Sequence, residues 1–353
     1  MNLTDQVLEA LQDSGAPLSG EELAQRFGVS RNSVWKAVNR LKEAGYEITA
    51  ATNRGYQLVG DSDVLSAENI RRQLGPAARD AAIEVRDRVT STNTLLKEIA
   101  EQGGREGMVI VAQEQTAGKG RLGRSFYSPK GTGLYLSILL RPSFSAQEAL
   151  SITTAAAVAV AEAIDSLTGG EEEARIKWVN DVYYRARKVC GILTEASIDF
   201  ETGGLHYAVL GIGVDLAEPE GGFSPELREV AGALFPSAPP PGARTKLAAQ
   251  IIDRFFGYYR QLPGRGYMAE YRRRSLLTGV GITFQQGEEL REGIVTGVDE
   301  EARLLVRLPD GTEQVFAAGE VSIQKDFLRQ LRDAAQERAS QEGKNRRRGG
   351  RER

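Results

Sequence analysis

Two stretches of this chain carry groups able to work on anions. The first, Gln113-Glu-Gln115-Thr-Ala-Gly118-Lys119-Gly120-Arg121-Leu-Gly123-Arg124, is a loop spaced by glycines that holds three cations. The second, about sixty residues on, is Lys177-Trp178-Val-Asn180-Asp181 followed by Lys188-Val-Cys-Gly191-Ile-Leu193. It places two lysines, an amide and a carboxylate on what read as neighbouring strands. Together these groups can hold a polyanion beside a carboxylate, which is what activating an acid with a nucleotide requires. The glycines of the loop allow close backbone approach to a ligand, and its cations can neutralise phosphate or carboxylate.

Two familiar nucleotide loops are excluded. Gly118-Lys-Gly120-Arg-Leu-Gly123 matches the spacing G-x-G-x-x-G, but the dinucleotide fingerprint needs a helix directly after the loop. Here Phe126-Tyr-Ser-Pro129-Lys-Gly131-Thr-Gly133 follows, which cannot be a helix. The region about twenty positions on holds Leu140-Arg141-Pro142 where the fingerprint wants an acid. A P-loop fails as well, because no Gly-Lys-Ser/Thr ends the run.

The 353 residues are enough for two or three domains. A net charge of −3 means that any nucleic-acid surface is local. The lone cysteine, Cys190, excludes an internal disulfide and points to a reducing compartment. One cysteine and one histidine cannot build a Cys/His zinc site. His206 lies in a strand-like run and reads as structural, so catalysis must rest on lysine, arginine, carboxylates and backbone N–H groups. Met1-Asn-Leu-Thr-Asp lacks the basic and apolar regions of a signal peptide. The small-apolar stretch from Ser151 to Leu167 is short for a membrane span and contains Glu162 and Asp165, so it reads as a buried core helix. The expectation is a cytoplasmic protein with no membrane partner.

The elements that must position these groups fall into an α+β arrangement. Residues 1–60 read as a winged helix-turn-helix. Val7, Leu8 and Leu11 recur at helical spacing, Ser19 and Glu22 have the spacing of a capping box, and Gly28-Val-Ser30 turns the chain into a third helix over Arg31–Glu43. Six Lys/Arg against seven Asp/Glu make this segment no more than neutral, yet five of the six cations lie between Arg26 and Lys42. That segregation favours DNA binding through Ser30, Arg31, Asn32, Ser33, Lys36 and Arg40, with Arg54 at the tip of a two-stranded wing. Residues 66–275 read as strands that follow one another with short turns, interrupted by few helices, which argues for a mixed or antiparallel sheet. Residues 277–326 read as short strands, with Asp310-Gly311 a hairpin signal. The basic segment 335–353 reads as a disordered tail.

At this point the motifs resemble one family closely. Gly-Lys-Gly-Arg-Leu-Gly-Arg and Lys-Trp-Val-Asn-Asp, behind a DNA-binding module, resemble the bifunctional biotin protein ligases of the biotin-operon repressor type over nearly the whole chain. The resemblance implies a winged helix-turn-helix, a class II synthetase-like catalytic domain with a mixed sheet, and an SH3-like C-terminal β-barrel. It implies an enzyme that joins biotin to ATP, giving biotinoyl-5′-AMP and pyrophosphate, and then passes biotin to a lysine of a carrier domain such as that of acetyl-CoA carboxylase. It further implies an adenylate-bound homodimer that represses biotin genes at operator DNA. On the matching positions, Lys188, Arg121 and Asp181 would be catalytic. Biotin would contact Ser91, Thr92, Asn93, Gln115, Gly118, Lys119, Gly120, Arg121, Tyr135, Lys188, Gly191, Leu193, Gly211 and Gly213. ATP would contact Arg121, Arg124, Trp178, Asn180, Asp181, Lys188 and Asp215, with Mg²⁺ at Asp181. Asp215 stands where the family usually has asparagine.

Read from the residues alone, Ser91-Thr-Asn93 also suits plain N-capping, Tyr135 and Leu193 suit sheet core, and Asp181 suits either metal binding or orientation of the acceptor lysine. Two other functions stay open: a ligand-responsive transcription factor without turnover, and a lipoate-type ligase.

Overall fold

The structure, a computed structural model, describes residues 2–323 except 15, 44, 52–54, 60–63, 146–147, 199–203, 263, 287–288, 318 and 320, together with Phe327 and Asp333. The expected wing-tip contact Arg54 and the tail 335–353 lie outside the described residues. The chain divides into two compact units, residues 1–73 with 240–249, and residues 74–239 with 250–353.

In the first unit, α1 (Leu3–Asp13), α2 (Gly20–Phe27) and α3 (Arg31–Glu43) pack around Val7, Leu8, Leu11, Leu23, Val34, Val38 and Leu41. The capping box forms: Glu22 N–H donates to Ser19 Oγ at 3.1 Å, and Ser19 N–H donates to Glu22 Oε2 at 2.7 Å. Gly28 ends α2 at φ 64°, the left-handed position that favours glycine. The wing strands β1 (Ile48–Ala51) and β2 (Gly55–Leu58) pair antiparallel with Ile48 opposite Leu58. A further helix, α4 (Ala67–Gln73), was not visible in the sequence pattern. Its buried Asn69 is held on both sides, donating to Val64 O (2.8 Å) and Tyr46 Oη (3.2 Å) and accepting from Gln12 Nε2 (2.6 Å). A buried amide so satisfied fixes how α4 sits against α1.

The second unit is built on a seven-stranded sheet. Its strands are β3 (Ala82–Val89), β4 (Met108–Gln115), β5 (Gly133–Leu140), β6 (Arg175–Lys177), β7 (Asp181–Tyr184), β8 (Arg187–Ile198) and β9 (Leu205–Asp215). Their spatial order is β3-β4-β5-β9-β8-β7-β6. Only β3 and β4 run parallel, joined through α5 (Thr92–Glu101); every other pairing is antiparallel. The sheet is therefore mixed, one of the two arrangements, mixed or antiparallel, that the sparse helices between strands predict. Leu96 and Ala100 of α5 pack on Ile110, Leu139 and Val209. Helix α6 (Leu150–Thr168) is long and apolar enough to cross a membrane by composition, but it is a core helix, with Ile152, Val158, Val160 and Ile164 fully buried. Short α7 (Pro225–Arg228), then α8 (Ala243–Tyr259) and α9 (Met268–Arg273), complete the helices of the chain's described part before the last strands.

Those last strands, β10 (Gly281–Gln286), β11 (Glu289–Val298), β12 (Leu304–Arg307), β13 (Glu313–Phe316) and β14 (Val321–Ile323), form an antiparallel sheet in the order β13-β12-β11-β10-β14. The rings of Phe284 on β10 and Phe316 on β13 lie 4.7 Å apart although two strands separate them. The sheet therefore curls on itself, as an SH3-like barrel does. Asp310 organises the β12–β13 turn by accepting from Thr312 N–H (2.9 Å) and Oγ1 (2.7 Å). Trp178 ties this sheet to the core by donating its indole N–H to Ala302 O at 2.8 Å.

Candidate active site

The floor of the site is a stripe laid out by the two-residue period of strands. Gly191 and Leu193 on β8 stand opposite Gly213 and Gly211 on β9, and on the other side of β9 the same glycines face Tyr135 and Ser137 of β5. Residues paired across a sheet share a face, so these six positions form one surface. A Cβ on Gly213 would fall 2.5 Å from the Phe126 ring, and one on Gly211 would fall 2.2 Å from Asn93 Oδ1. The glycines are thus demanded by what lies on them, a ring and an amide.

Lys188 reaches this face by an irregularity. It is three residues from Gly191, and regular alternation would send it to the opposite side. However, β7 pairs Asp181 with Gly191, Val182 with Cys190 and then Tyr183 with Lys188, skipping Val189. The bulge at Val189 turns Lys188 back to the face of Gly191. There its Nζ meets Asp181 Oδ1 at 2.7 Å.

A cavity of about 320 Å³ opens above this floor, a volume suited to a small-molecule ligand. One end is neutral and buried. Ser91 caps α5, accepting weakly from Thr94 N–H at 3.5 Å. Gln115 Oε1 accepts from Thr92 N–H (2.9 Å) and Thr92 Oγ1 (3.1 Å), and Gln115 Nε2 donates to Ser128 Oγ (2.9 Å). Asn93 accepts from Ser137 Oγ at 2.6 Å and donates Nδ2 to Glu195 Oε2 at 2.8 Å. Glu195 in turn pairs with Lys97 at 2.6 Å. Burial alone would raise the Glu195 carboxyl, but hydrogen bonds from Lys97 and Asn93 outweigh it and hold the group below its usual range.

The other end is charged. Residues 118–126 fold back on themselves: Phe126 N–H donates to Gly118 O (2.8 Å) and Gly120 N–H to Arg124 O (2.7 Å). A single 3-10 turn at Arg121–Gly123 carries Leu122, 74% exposed, at the loop's crest. Arg121 donates Nη1 to Asn180 Oδ1 (2.8 Å) and Nη2 to Gly319 O (3.2 Å), while Asn180 Nδ2 is anchored on Ile192 O (2.9 Å). Lys119, Arg124, Lys177 and Lys188 line the same cavity, against the carboxylates Asp181, Asp215 and Glu226. Burial raises the Asp215 carboxyl to about 7 despite the opposing charge of Lys188. Cys190 is buried, which pushes its thiol well up and keeps it unreactive. Among the described residues no three His, Cys, Asp or Glu side chains cluster as a metal site.

Nearly all expected residues meet here: Ser91, Thr92, Asn93, Gln115, Lys119, Gly120, Arg121, Arg124, Trp178, Asn180, Asp181, Lys188, Gly191, Leu193, Gly211, Gly213 and Asp215 line the one cavity. Two do not. Gly118 is a folding position, because a Cβ there would lie 2.3 Å from Phe126 O. Tyr135 is fully buried behind Phe126, edge-on at 6.4 Å, with its hydroxyl donating to Pro129 O at 3.0 Å. Trp178 is at the wall with its N–H committed to Ala302. The sequence reading passed over Phe126, Ser137 and Glu195, and over the 223–231 segment, which is tied to the site where Lys188 N–H donates to Val230 O at 3.0 Å. Ser137 and Glu195 had a signal, since each stands two residues beyond an expected stripe position.

On the first unit, Arg31, Asn32, Lys36 and Arg40 are exposed on α3, Ser33 is partly so, and Ser30 caps the helix by accepting from Ser33 N–H at 3.1 Å. Arg31 also pairs with Glu21 at 3.3 Å. Trp35 is 53% exposed among them, an aromatic ring on a cationic helix face that the sequence reading did not single out.

Known proteins resemble this chain over most of its length. The family model of the biotin/lipoate A/B protein ligase family matches residues 85–215, that of the HTH domain residues 4–57, and that of the biotin protein ligase C-terminal domain residues 278–323. The bifunctional ligase/repressor BirA of Bacillus spizizenii is 30% identical over 321 residues, spanning 90% of this chain and 97% of its own length. BirA of Escherichia coli is 28% identical over 320 residues, 90% and 96% of the two chains. Among solved structures, the biotin protein ligase from Aquifex aeolicus in complex with biotin and ATP superposes with a TM-score of 0.57 at 26% identity, over 69% of this chain and 98% of that one.

Proposed function

This chain belongs to the biotin protein ligase family in its bifunctional ligase/repressor form, and we propose that the cavity over β8 and β9 is where biotin and ATP are joined. The chain is an ATP-dependent biotin protein ligase that acts on biotin carrier protein, and a repressor that binds DNA. The observation that carries the assignment is the polarity of a single cavity: a buried set of hydroxyls and amides at one end and the cations Arg121, Arg124, Lys177 and Lys188 at the other.

At the neutral end, Ser91, Thr92, Asn93 and Gln115 take the ureido ring, and Gly191, Leu193, Gly211 and Gly213 form the slot beneath the bicycle and valeryl chain. Gly120 and Lys119 border it. At the charged end, Arg121, Arg124 and Lys188 meet the carboxylate and phosphates. A biotin carboxylate oxygen attacks the α-phosphorus, and the bond to the bridging oxygen breaks as pyrophosphate leaves. Negative charge concentrates on the α-phosphate as this happens, and Lys188, held by Asp181 and the bulge, is positioned to stabilise it. In the second step the carrier lysine's amine attacks the acyl carbon and AMP leaves. Asn180 steers Arg121 over the adenylate, and Trp178 closes the nucleotide side. Asp181 would hold a Mg²⁺ ion that accompanies the triphosphate and neutralises part of its charge. Such an ion needs only one or two protein carboxylates beside phosphate oxygens, and Asp181 fits that need.

The finer partners follow. The acceptor is the carrier domain of acetyl-CoA carboxylase or a related carboxylase, in the cytoplasm. The adenylate-bound chain pairs as a homodimer, so that two copies of α3 engage two half-sites through Arg31, Asn32, Ser33, Lys36 and Arg40, with Arg54 on the wing.

The test is incubation with ATP, Mg²⁺, an apo carrier domain and either biotin or lipoate. Biotin transfer alone is expected. Lipoate transfer in its place would overturn the substrate, and no transfer at all would leave a ligand-responsive transcription factor.

A further inference from the structure

The neutral end of the cavity contains a directional device. Asn93 is almost fully buried, 4% exposed, yet an asparagine amide has two orientations that exchange a donor for an acceptor. One neighbour removes the choice. Glu195, as a carboxylate, only accepts, so the amide nitrogen must face it; the contact is Nδ2 to Oε2 at 2.8 Å. With Nδ2 so placed, Oδ1 faces the fully buried Ser137, whose hydroxyl lies 2.6 Å from it and 2.7 Å from Thr92 Oγ1. The second hydrogen of Nδ2 has only a long contact, 3.4 Å to Leu193 O. It is the one weakly engaged donor of the amide, and it can be given up to a ligand.

Lys97 makes this arrangement stable. It sits one turn along α5 from Asn93 and meets Glu195 Oε1 at 2.6 Å, while Asn93 holds Oε2. Lys97 and Asn93 together keep the carboxyl ionised against its burial. The lysine also cancels a negative charge that would otherwise stand behind the neutral end.

We propose that Glu195 and Lys97 are positioning residues that lock Asn93 as a hydrogen-bond donor, so that the site selects a ring bearing an acceptor oxygen and rejects one bearing a donor. The inference rests on the reading of Ser91-Thr92-Asn93 as the ureido-binding end. Neither residue touches the ligand, and both act through the Asn93 amide.

The experiment uses the full-length enzyme with two probes, biotin and 2-iminobiotin, whose ring oxygen is replaced by a nitrogen that donates. Glu195→Gln can accept from Nδ2 or donate to Oδ1, so it frees Asn93 to turn over. The expected results are a biotin KM raised about tenfold, the size of a lost charge-assisted hydrogen bond, and a biotin-over-iminobiotin preference that narrows. The KM for ATP, and the single-turnover rate of transfer from preformed adenylate, stay as in the wild type. Lys97→Met, on the surface of α5, should move biotin KM in the same direction, and it serves where Glu195→Gln does not fold. An Asn93→Ala control separates the two layers of the argument. If Asn93→Ala weakens biotin while both neighbour variants leave KM and analogue preference unchanged, the positioning role is overturned. If Asn93→Ala itself leaves biotin KM unchanged, the ureido assignment falls, and the inference with it.

Discussion

The two ends of the cavity solve opposite problems. At the neutral end, Thr92, Asn93 and Ser137 are buried and already bonded to one another or to Gln115 and Glu195, while buried Ser91 caps α5. At the charged end, cations stand on a loop and a strand edge, with Arg121 and Lys188 occupied by Asn180, Gly319 and Asp181. A weakly polar ring must be recognised by groups fixed in advance, because each misaligned hydrogen bond there costs as much as the ligand offers. A triphosphate brings its own strong field, and cations that exchange one partner for another can follow it through the reaction. Preorganisation is therefore concentrated where the ligand is weakest.

Removing a charge should do the most damage. Lys188→Ala is expected to lower the rate of adenylate formation about 10²-fold or more, the scale of a lost transition-state contact, while the melting temperature moves little. Pyrophosphate release in a single turnover measures it, and an unchanged rate would mean that the charged end does not depend on this lysine. At the neutral end the sharper probe is steric. In Gly211→Ala the new methyl would stand 2.2 Å from Asn93 Oδ1, so the amide must leave its place. Biotin KM should rise roughly tenfold or more, with ATP KM constant; a rise in ATP KM as well would show that the ends are not separable.

The mildest effect should come from Asp215. Its carboxyl titrates at about 7 because it is buried, so below that pH it is neutral beside the phosphates and above it adds a negative charge. ATP KM should climb by about threefold as pH rises through about 7 in the wild type and stay level in Asp215→Asn. The folded pKa lies above the ordinary 3.8, so this group's contribution to stability is complete below that value and is lost as pH rises through about 7. A flat wild-type profile would place Asp215 away from the nucleotide.

Much of this was legible in the chain. The helix-turn-helix is local, and its caps and turn are written within a few residues, as at Ser19, Glu22 and Gly28. The strands of the core, in a sheet either mixed or antiparallel, followed from short turns between apolar runs. The cations and the glycines were visible as motifs. What escaped notice depends on long-range neighbours. Ser137 and Glu195 look like ordinary strand residues until β5, β8 and β9 are placed side by side. Gly118 and Tyr135 belong to the motifs, yet serve the folding of the loop and the layer beneath Phe126. Helix α4 is only seven residues long and is held by one buried asparagine, which no periodicity announces. Trp35 was hidden by its type, since a tryptophan in a short helix usually signals interior.

The extra residue at Val189 makes parity part of the chemistry. Were β7 and β8 to pair without that skip, every motif would stay in place, but the ammonium of Lys188 would emerge on the sheet's reverse side. The chain would keep the letters of a ligase and lose the reaction, so searches for active relatives should compare how the two strands pair as well as the presence of lysine and glycine.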